Sequence, residues 1–173
     1  MQERLLILAL GSNLPSRMGD RLDNIDHAIT RIGEFVKNIR LSNIYESAAL
    51  VLPNSPEDWQ QPFLNMVIAG NCNLGAEDIL NRVKAIERDI GRKPSPKWSP
   101  REIDIDIIGY GDLQITSEHL SIPHPLFKER DFVTIPLLEV AEEWANNNGI
   151  SHNIPHNMKL FLRKEENPIK LMQ

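Results

Sequence analysis

Apolar and polar positions along the chain switch between two periods, and the switches mark the elements. The apolar run in Arg4–Leu10 stands beside Gly11-Ser12-Asn13 and predicts a buried strand closed by a turn. From Asp20 the apolar residues recur as Leu22, Ile25, Ala28, Ile29, Ile32, Phe35 and Val36, which is helical spacing with Asp20 as the N-cap. The stretch 36–47 suits a second strand. Ala48–Pro62 carries Pro53, Asn54, Ser55, Pro56 and Pro62 and predicts a loop. A third strand covers 63–73. Gly75 then opens a second helix with Ile79, Leu80, Val83, Ile86 and Ile90 on one face, closed by Gly91. A second proline-rich loop runs from Arg92 to Pro100. An acidic strand follows, ending in the turn residues Gly109, Gly111 and Asp112, and a further helix is predicted near Pro136–Trp144.

The order β-α-β-β-α-β predicts an α+β domain with a ferredoxin-like core, an antiparallel sheet carrying two helices on one face, plus C-terminal additions. Residues 1–145 read as that domain. Residues 146–173 read as a polar tail packed on it or trailing from it, with His152 and His156 at the surface.

Composition narrows the partners. The 173 residues have a formal charge of -5, against bulk nucleic-acid binding, which wants a basic face. An anionic ligand must therefore meet locally placed Arg and Lys, or a metal. The single cysteine, Cys72, rules out an intrachain disulfide and reads as a small buried side chain. The apolar run before Gly11 is too short to span a membrane and reads as a strand rather than a signal peptide. The expectation is a cytoplasmic monomer without membrane or nucleic-acid partners.

The acidic strand holds the chemistry. Glu102, Asp104 and Asp106 alternate with Ile103, Ile105 and Ile107. Strand residues two apart share a face roughly 6.5–7 Å apart, so Asp104 and Asp106 point the same way. One reading is a solvated face with the isoleucines inward. The other is a carboxylate pair for one or two hard cations, as in two-metal phosphoryl sites. Arg92, Lys93, Lys97 and Arg101 lie just upstream, in a loop stiffened by Pro94, Pro96 and Pro100. Beside the aspartates they read as a triphosphate clamp, because a guanidinium fork grips phosphate oxygens in pairs. His124 and Arg130 add a second polar set, while Glu102 keeps the solvent-facing reading. There is no GxxxxGK[ST] loop, Gly109-Tyr110-Gly111-Asp112 is too short for a GxGxxG fingerprint, and "LGSN" reads as a turn.

Taken together, "LGSN", "FLN" (63–65), "IE" (86–87) before "GR" (91–92), W-x-PR-x-IDIDI (98–107), "IPHP" (122–125) and RDFV-x-x-PL (130–137) resemble the 6-hydroxymethyl-7,8-dihydropterin pyrophosphokinase family of folate biosynthesis. The resemblance covers roughly residues 4–145. It implies a ferredoxin-like α+β fold and pyrophosphate transfer from ATP to the hydroxymethyl group of a reduced pterin, releasing AMP. It implies Asp104 and Asp106 as ligands to two Mg²⁺ ions, and Arg92 and Arg101 with them as the catalytic set. Lys84, Glu87, Arg92, Trp98, Arg101, Ile107, Ser121, His124 and Arg130 match ATP-binding positions. Ser47, Ala49, Leu50, Phe63, Asn65, Trp98 and Phe132 match pterin-binding positions, the two phenylalanines as rings either side of the pterin.

The chain departs from the family pattern in four places. Pro94 replaces a second loop arginine, whose charge Lys93 or Lys97 can supply. Lys84 stands where Gln is frequent, and His119 where Arg is. The first pterin loop reads "ESAALVLP" and lacks the usual Thr-x-Pro-x-Gly type. Two other classes stay open on the residues alone. One is a cation-binding domain without catalysis, favoured by Pro94. The other is a different Mg²⁺-dependent phosphotransferase, against which Phe63, Asn65 and Phe132 argue.

Overall fold

The structure, a computed structural model, describes residues 2–151 and 155–163. Its main sheet has the order β5-β1-β4-β3-β8, with β2 also on β4, and every ladder in it is antiparallel. The strands are β1 (Arg4–Ser12), β2 (Lys37–Leu41), β3 (Ile44–Ser47), β4 (Phe63–Cys72), β5 (Asp104–Tyr110) and β8 (Lys159–Phe161); β6 (Ile115–Thr116) and β7 (Ser121–Ile122) form a separate hairpin. Helices α1 (Arg21–Ile32) and α2 (Ala76–Ile90) complete the expected β-α-β-β-α-β order.

Local chemistry sets the helix ends. The Asp20 side chain accepts from the N–H groups of Leu22 and Asp23, and the Asp23 side chain accepts from Asp20 N–H, a reciprocal capping box. Helix α1 stops at Gly33, so Phe35 and Val36, which continue its spacing, lie beyond it. Gly91 ends α2 with φ at 123°, a conformation that favours glycine.

Four expectations change. First, the predicted second strand is two strands. Ser42 interrupts it: its hydroxyl accepts Val67 N–H at 2.9 Å in place of a ladder carbonyl, and Asn43 N–H turns to the Glu139 carboxylate. Second, Gly109 belongs to β5 and not to a turn. A Cβ there would stand 2.3 Å from the Trp144 ring, so glycine makes the seat for that indole, whose N–H donates to Gly111 O at 2.9 Å. Third, the last predicted helix is two, α3 (Asp131–Val140) and α4 (Glu142–Asn147). Arg130 O accepts from Val133 and Thr134 N–H, which starts α3 upstream of Pro136.

Fourth, the sheet is covered on both faces. Leu6, Leu8, Leu10, Met66 and Ile68 pack with the apolar stripes of α1 and α2, while Ile7, Val67, Ala69 and Ile108 pack with α3 and the start of α4. Two-sided burial is why Leu5–Leu10 reads as a continuous apolar run rather than an alternation. Cys72 is buried, as expected.

Beyond residue 145, α4 continues to Asn147, Ile150 joins the second core, and β8 pairs with the outer edge of β3. His156 is exposed, in a T-shaped contact with the Tyr45 ring, and His152 lies outside the described residues. Among the described residues no helix is long and apolar enough to cross a membrane.

Candidate active site

Strand β5 sorts the acidic alternation. Ile103, Ile105 and Ile107 enter the core under α1 and α2, while Asp104 and Asp106 face the other way, opposite Gly11 and Ala9 of β1. Glu102 precedes the strand. Its carbonyl accepts from Ser12 Oγ at 2.6 Å and Asn24 Nδ2 at 3.0 Å.

A web of charge surrounds the two aspartates. Arg92 Nη1 lies 2.7 Å from Asp104 Oδ1 and 2.8 Å from Glu87 Oε1, and Arg101 Nη1 lies 3.5 Å from Asp104. Glu87 is buried at the centre. It also accepts Ile105 N–H at 2.8 Å and pairs with Lys84 Nζ at 3.1 Å. On the other side, Arg130 Nη1 and His124 Nε2 stand 3.9 and 4.0 Å from Asp106 Oδ2. Burial, and then the Asp104 charge, push the Asp106 carboxyl up to about 7, against the pull of Arg130. Burial and the Arg130 charge lower His124. Among the described residues Arg101 Nε is a buried nitrogen without a hydrogen-bond partner.

The loop that carries Arg101 is held by "LGSN", which is where the turn reading needs correction. Gly11 and Ser12 are still in β1. Asn13 and Leu14 both donate their N–H to Arg101 O, and Asn13 Oδ1 accepts Arg101 N–H at 2.7 Å. Asn24, buried on α1, ties Leu14 O to Glu102 O. These supporting residues were not identified from the sequence. The available signal was a polar Asn on the apolar stripe of α1, since a buried amide needs partners. Upstream in the same loop, Trp98 sits with φ at 70°, uncommon and strained for so bulky a residue, beside the Ser99 Oγ to Pro96 O bond of 2.6 Å.

Two cavities open on this edge. The first, about 250 Å³, lies between β3, β4, the Trp98 loop and α3. Phe63, Phe132 and Trp98 line it, with Ser47, Leu50 and Asn65, as do Arg101, Asp104 and Arg130. Asn65 Nδ2 donates to Ser47 Oγ at 2.7 Å. Gly11 keeps that corner open, because a Cβ would press to 3.2 Å from Asn65 Oδ1. Lys97 reaches this cavity, with its ammonium 5.3 Å from the Trp98 ring centre, whereas Lys93 is exposed and lines neither cavity. The second cavity, about 260 Å³, is lined by Lys84, Ile107, His119 and Ser121. Asp106 and His124 line both.

Most of the expected site residues thus converge, with three differences. Ala48 and Leu50 line the first cavity while Ala49, between them, does not. Glu87 and Arg92 line neither cavity. Glu87 sits beneath the site, because its carboxylate is used up by Arg92, Lys84 and the β5 backbone. Arg92 is directed at Asp104.

Comparison with known proteins identifies the family. The model of the family described as 7,8-dihydro-6-hydroxymethylpterin-pyrophosphokinase matches residues 7–142. The 2-amino-4-hydroxy-6-hydroxymethyldihydropteridine pyrophosphokinase of Aquifex aeolicus is 41% identical over 133 residues, covering 77% of this chain and 78% of that protein. The protein of the same name from Synechocystis is 35% identical over 143 residues, covering 81% and 68%. The mitochondrial folate synthesis bifunctional protein of Arabidopsis thaliana is 36% identical over 153 residues, and the chain spans 26% of its length. A crystal structure described as HPPK-DHPS in complex with substrates shares the fold with a TM-score of 0.56 at 13% identity, over 80% of this chain and 40% of that one. The matched residues, 7–142, take in the aspartate pair, the loop arginines and the walls of both cavities, and the chain belongs to the 7,8-dihydro-6-hydroxymethylpterin-pyrophosphokinase family.

Proposed function

We propose that this chain carries out its family's reaction, pyrophosphoryl transfer from ATP to the hydroxymethyl group of 6-hydroxymethyl-7,8-dihydropterin in folate synthesis, on the Asp104–Asp106 edge. The pterin occupies the first cavity and the nucleotide the second. One observation carries this division: Asp106 and His124 belong to both cavities, so a ring held in one meets a polyphosphate held in the other.

The donor set fits Mg²⁺. No group of three or more His, Cys, Asp or Glu among the described residues makes a protein metal cage. Mg²⁺ does not need one, since it takes one or two carboxylates and completes its shell with water and phosphate oxygens. Asp104 and Asp106 would hold two such ions, which neutralise phosphate charge when bound.

The protein's own groups supply the rest. Arg101, with its unpartnered Nε, and Arg130 face the shared edge and stabilise charge that builds on the transferred phosphorus. Arg92 is held by Glu87 against Asp104, so its charge is pre-organised. His124 Nδ1 accepts Leu126 N–H at 3.2 Å, so the neutral ring carries its proton on Nε2, facing the aspartate edge. It therefore donates to an oxygen and does not act as the base. In the first cavity Phe63 and Phe132 offer aromatic faces to the flat ring. Asn65 spends one amide proton on Ser47 and keeps Oδ1 for the pterin edge. In the second, Lys84, Ser121 and the Ile107 segment meet the nucleotide.

An AMP-release assay with ATP, Mg²⁺ and 6-hydroxymethyl-7,8-dihydropterin tests the proposal. Turnover is the expected result. Pterin binding without AMP would leave a binding domain in place of an enzyme.

A further inference from the structure

Strand β3 carries Ser47 into the first cavity, and it is only four residues long. On its inner side it pairs with β4, with Tyr45 opposite Asn65 and Ser47 opposite Phe63. Its outer side would be a free edge, whose hydrogen bonds open most readily in a sheet. Here β8 covers that edge, with Ile44, Tyr45 and Glu46 opposite Phe161, Leu160 and Lys159. Phe161 also packs against the first core.

Two residues after β8, Arg163 closes on α1. Its Nη1 and Nη2 lie 2.8 and 2.6 Å from the two carboxylate oxygens of Asp26, a forked pair with both side chains three-quarters buried. The same helix grips β3 directly, because Arg21 pairs with Glu46 at 2.9 Å and donates to Pro62 O at 2.8 Å. Thus α1 holds the short strand twice, once by Arg21 and once through β8. The segment lies outside the residues that match the family, which end at 142.

We propose that residues 159–163 are a strap that positions the Ser47–Asn65 wall of the first cavity, with Arg163 and Asp26 as its clasp. They are positioning residues, acting on the substrate through β3. The effect on substrate rests on the reading above that the pterin occupies that cavity; the hold on β3 does not.

The test is Arg163→Ala in the full chain, read in two ways. In the ligand-free protein, amide exchange at 44–47 should speed up while exchange in β1 stays as in the parent. In steady state, KM for the pterin should rise about fivefold and KM for ATP stay within about twofold, the scale of losing one good ion pair. The charge swap Asp26→Arg with Arg163→Glu should recover both readouts. Unchanged exchange at 44–47 overturns the strap whatever the kinetics show. Faster exchange with equal rises in both KM values overturns its specificity for the pterin wall. A parent protein that releases no AMP overturns the pyrophosphokinase reading instead, and the exchange measurement still decides the strap.

Discussion

The two cavities share a wall and differ in nearly everything else. Three aromatic rings, Phe63, Trp98 and Phe132, line the first, and its walls come from β3, β4, a loop and α3. The second is lined by Lys84, Ser117, Glu118, His119 and Ser121, from α2 and the β6–β7 hairpin. A flat heterocycle is recognised by faces and by a few matched hydrogen bonds that go unpaired with the wrong ring. A polyphosphate is recognised by charge, which tolerates looser geometry. Lys84 and His119, the departures from the family pattern that reach a wall of the second cavity, are polar groups there, while the first cavity has its rings.

The comparison breaks most completely at the shared edge. Asp104→Asn and Asp106→Asn should each lower kcat by about 10²–10³-fold, the scale for losing one pre-organised electrostatic group, with the far-UV spectrum unchanged. A folded variant with near-parent rate would return that residue to the solvated-face reading. Next, Arg101→Ala should cost about 10–100-fold in kcat/KM, and its loss should be the same whether ATP or pterin is varied. On one side only, Phe132→Ala should raise pterin KM about tenfold and leave ATP KM alone; equal losses would move Phe132 from the substrate to the core.

The smallest effect is on stability. Asp106 titrates at about 7 in the fold, against about 3.9 in an unfolded chain. Between those values the native state keeps a proton that the unfolded chain has lost, so this group makes ligand-free stability fall as pH rises from about 4 to about 7. Asp106→Asn removes that slope and should raise Tm at pH 8 by about 2–4 °C. The proposed cation site has the opposite dependence: a cation at Asp106 would compete with that proton, so Mg²⁺–ATP affinity should weaken as pH drops below about 7. Equal Tm for parent and variant at pH 8 would place Asp106 in the ordinary carboxylate range.

Much of the fold was legible because its elements are local. The capping box at Asp20, the stripe of α2 and its glycine stop are written within a few residues of where they act. What misled was long-range. Ser42 looks like any strand residue until Val67 lies opposite it, and Gly109 looks like a turn until Trp144 settles on it. The aspartates, the loop cations and the aromatic rings were readable as residue types. Glu87 was not readable as a buried hub, nor Asn13 and Asn24 as supports, because their roles are defined by partners 18, 88 and 78 residues away.

By itself the sequence determined the element order, the facing of Asp104 and Asp106, and the chemistry each side of the site can do. Those follow from periods of 2 and 3.6 and from side-chain type, which short-range sterics enforce. Only the tertiary structure decided that the sheet is buried on both faces, that one edge carries two cavities with Asp106 between them, and that Glu87 is buried beneath the site and lines neither cavity. These depend on which distant segments share a surface, and there burial and charge are set by neighbours that no local pattern names.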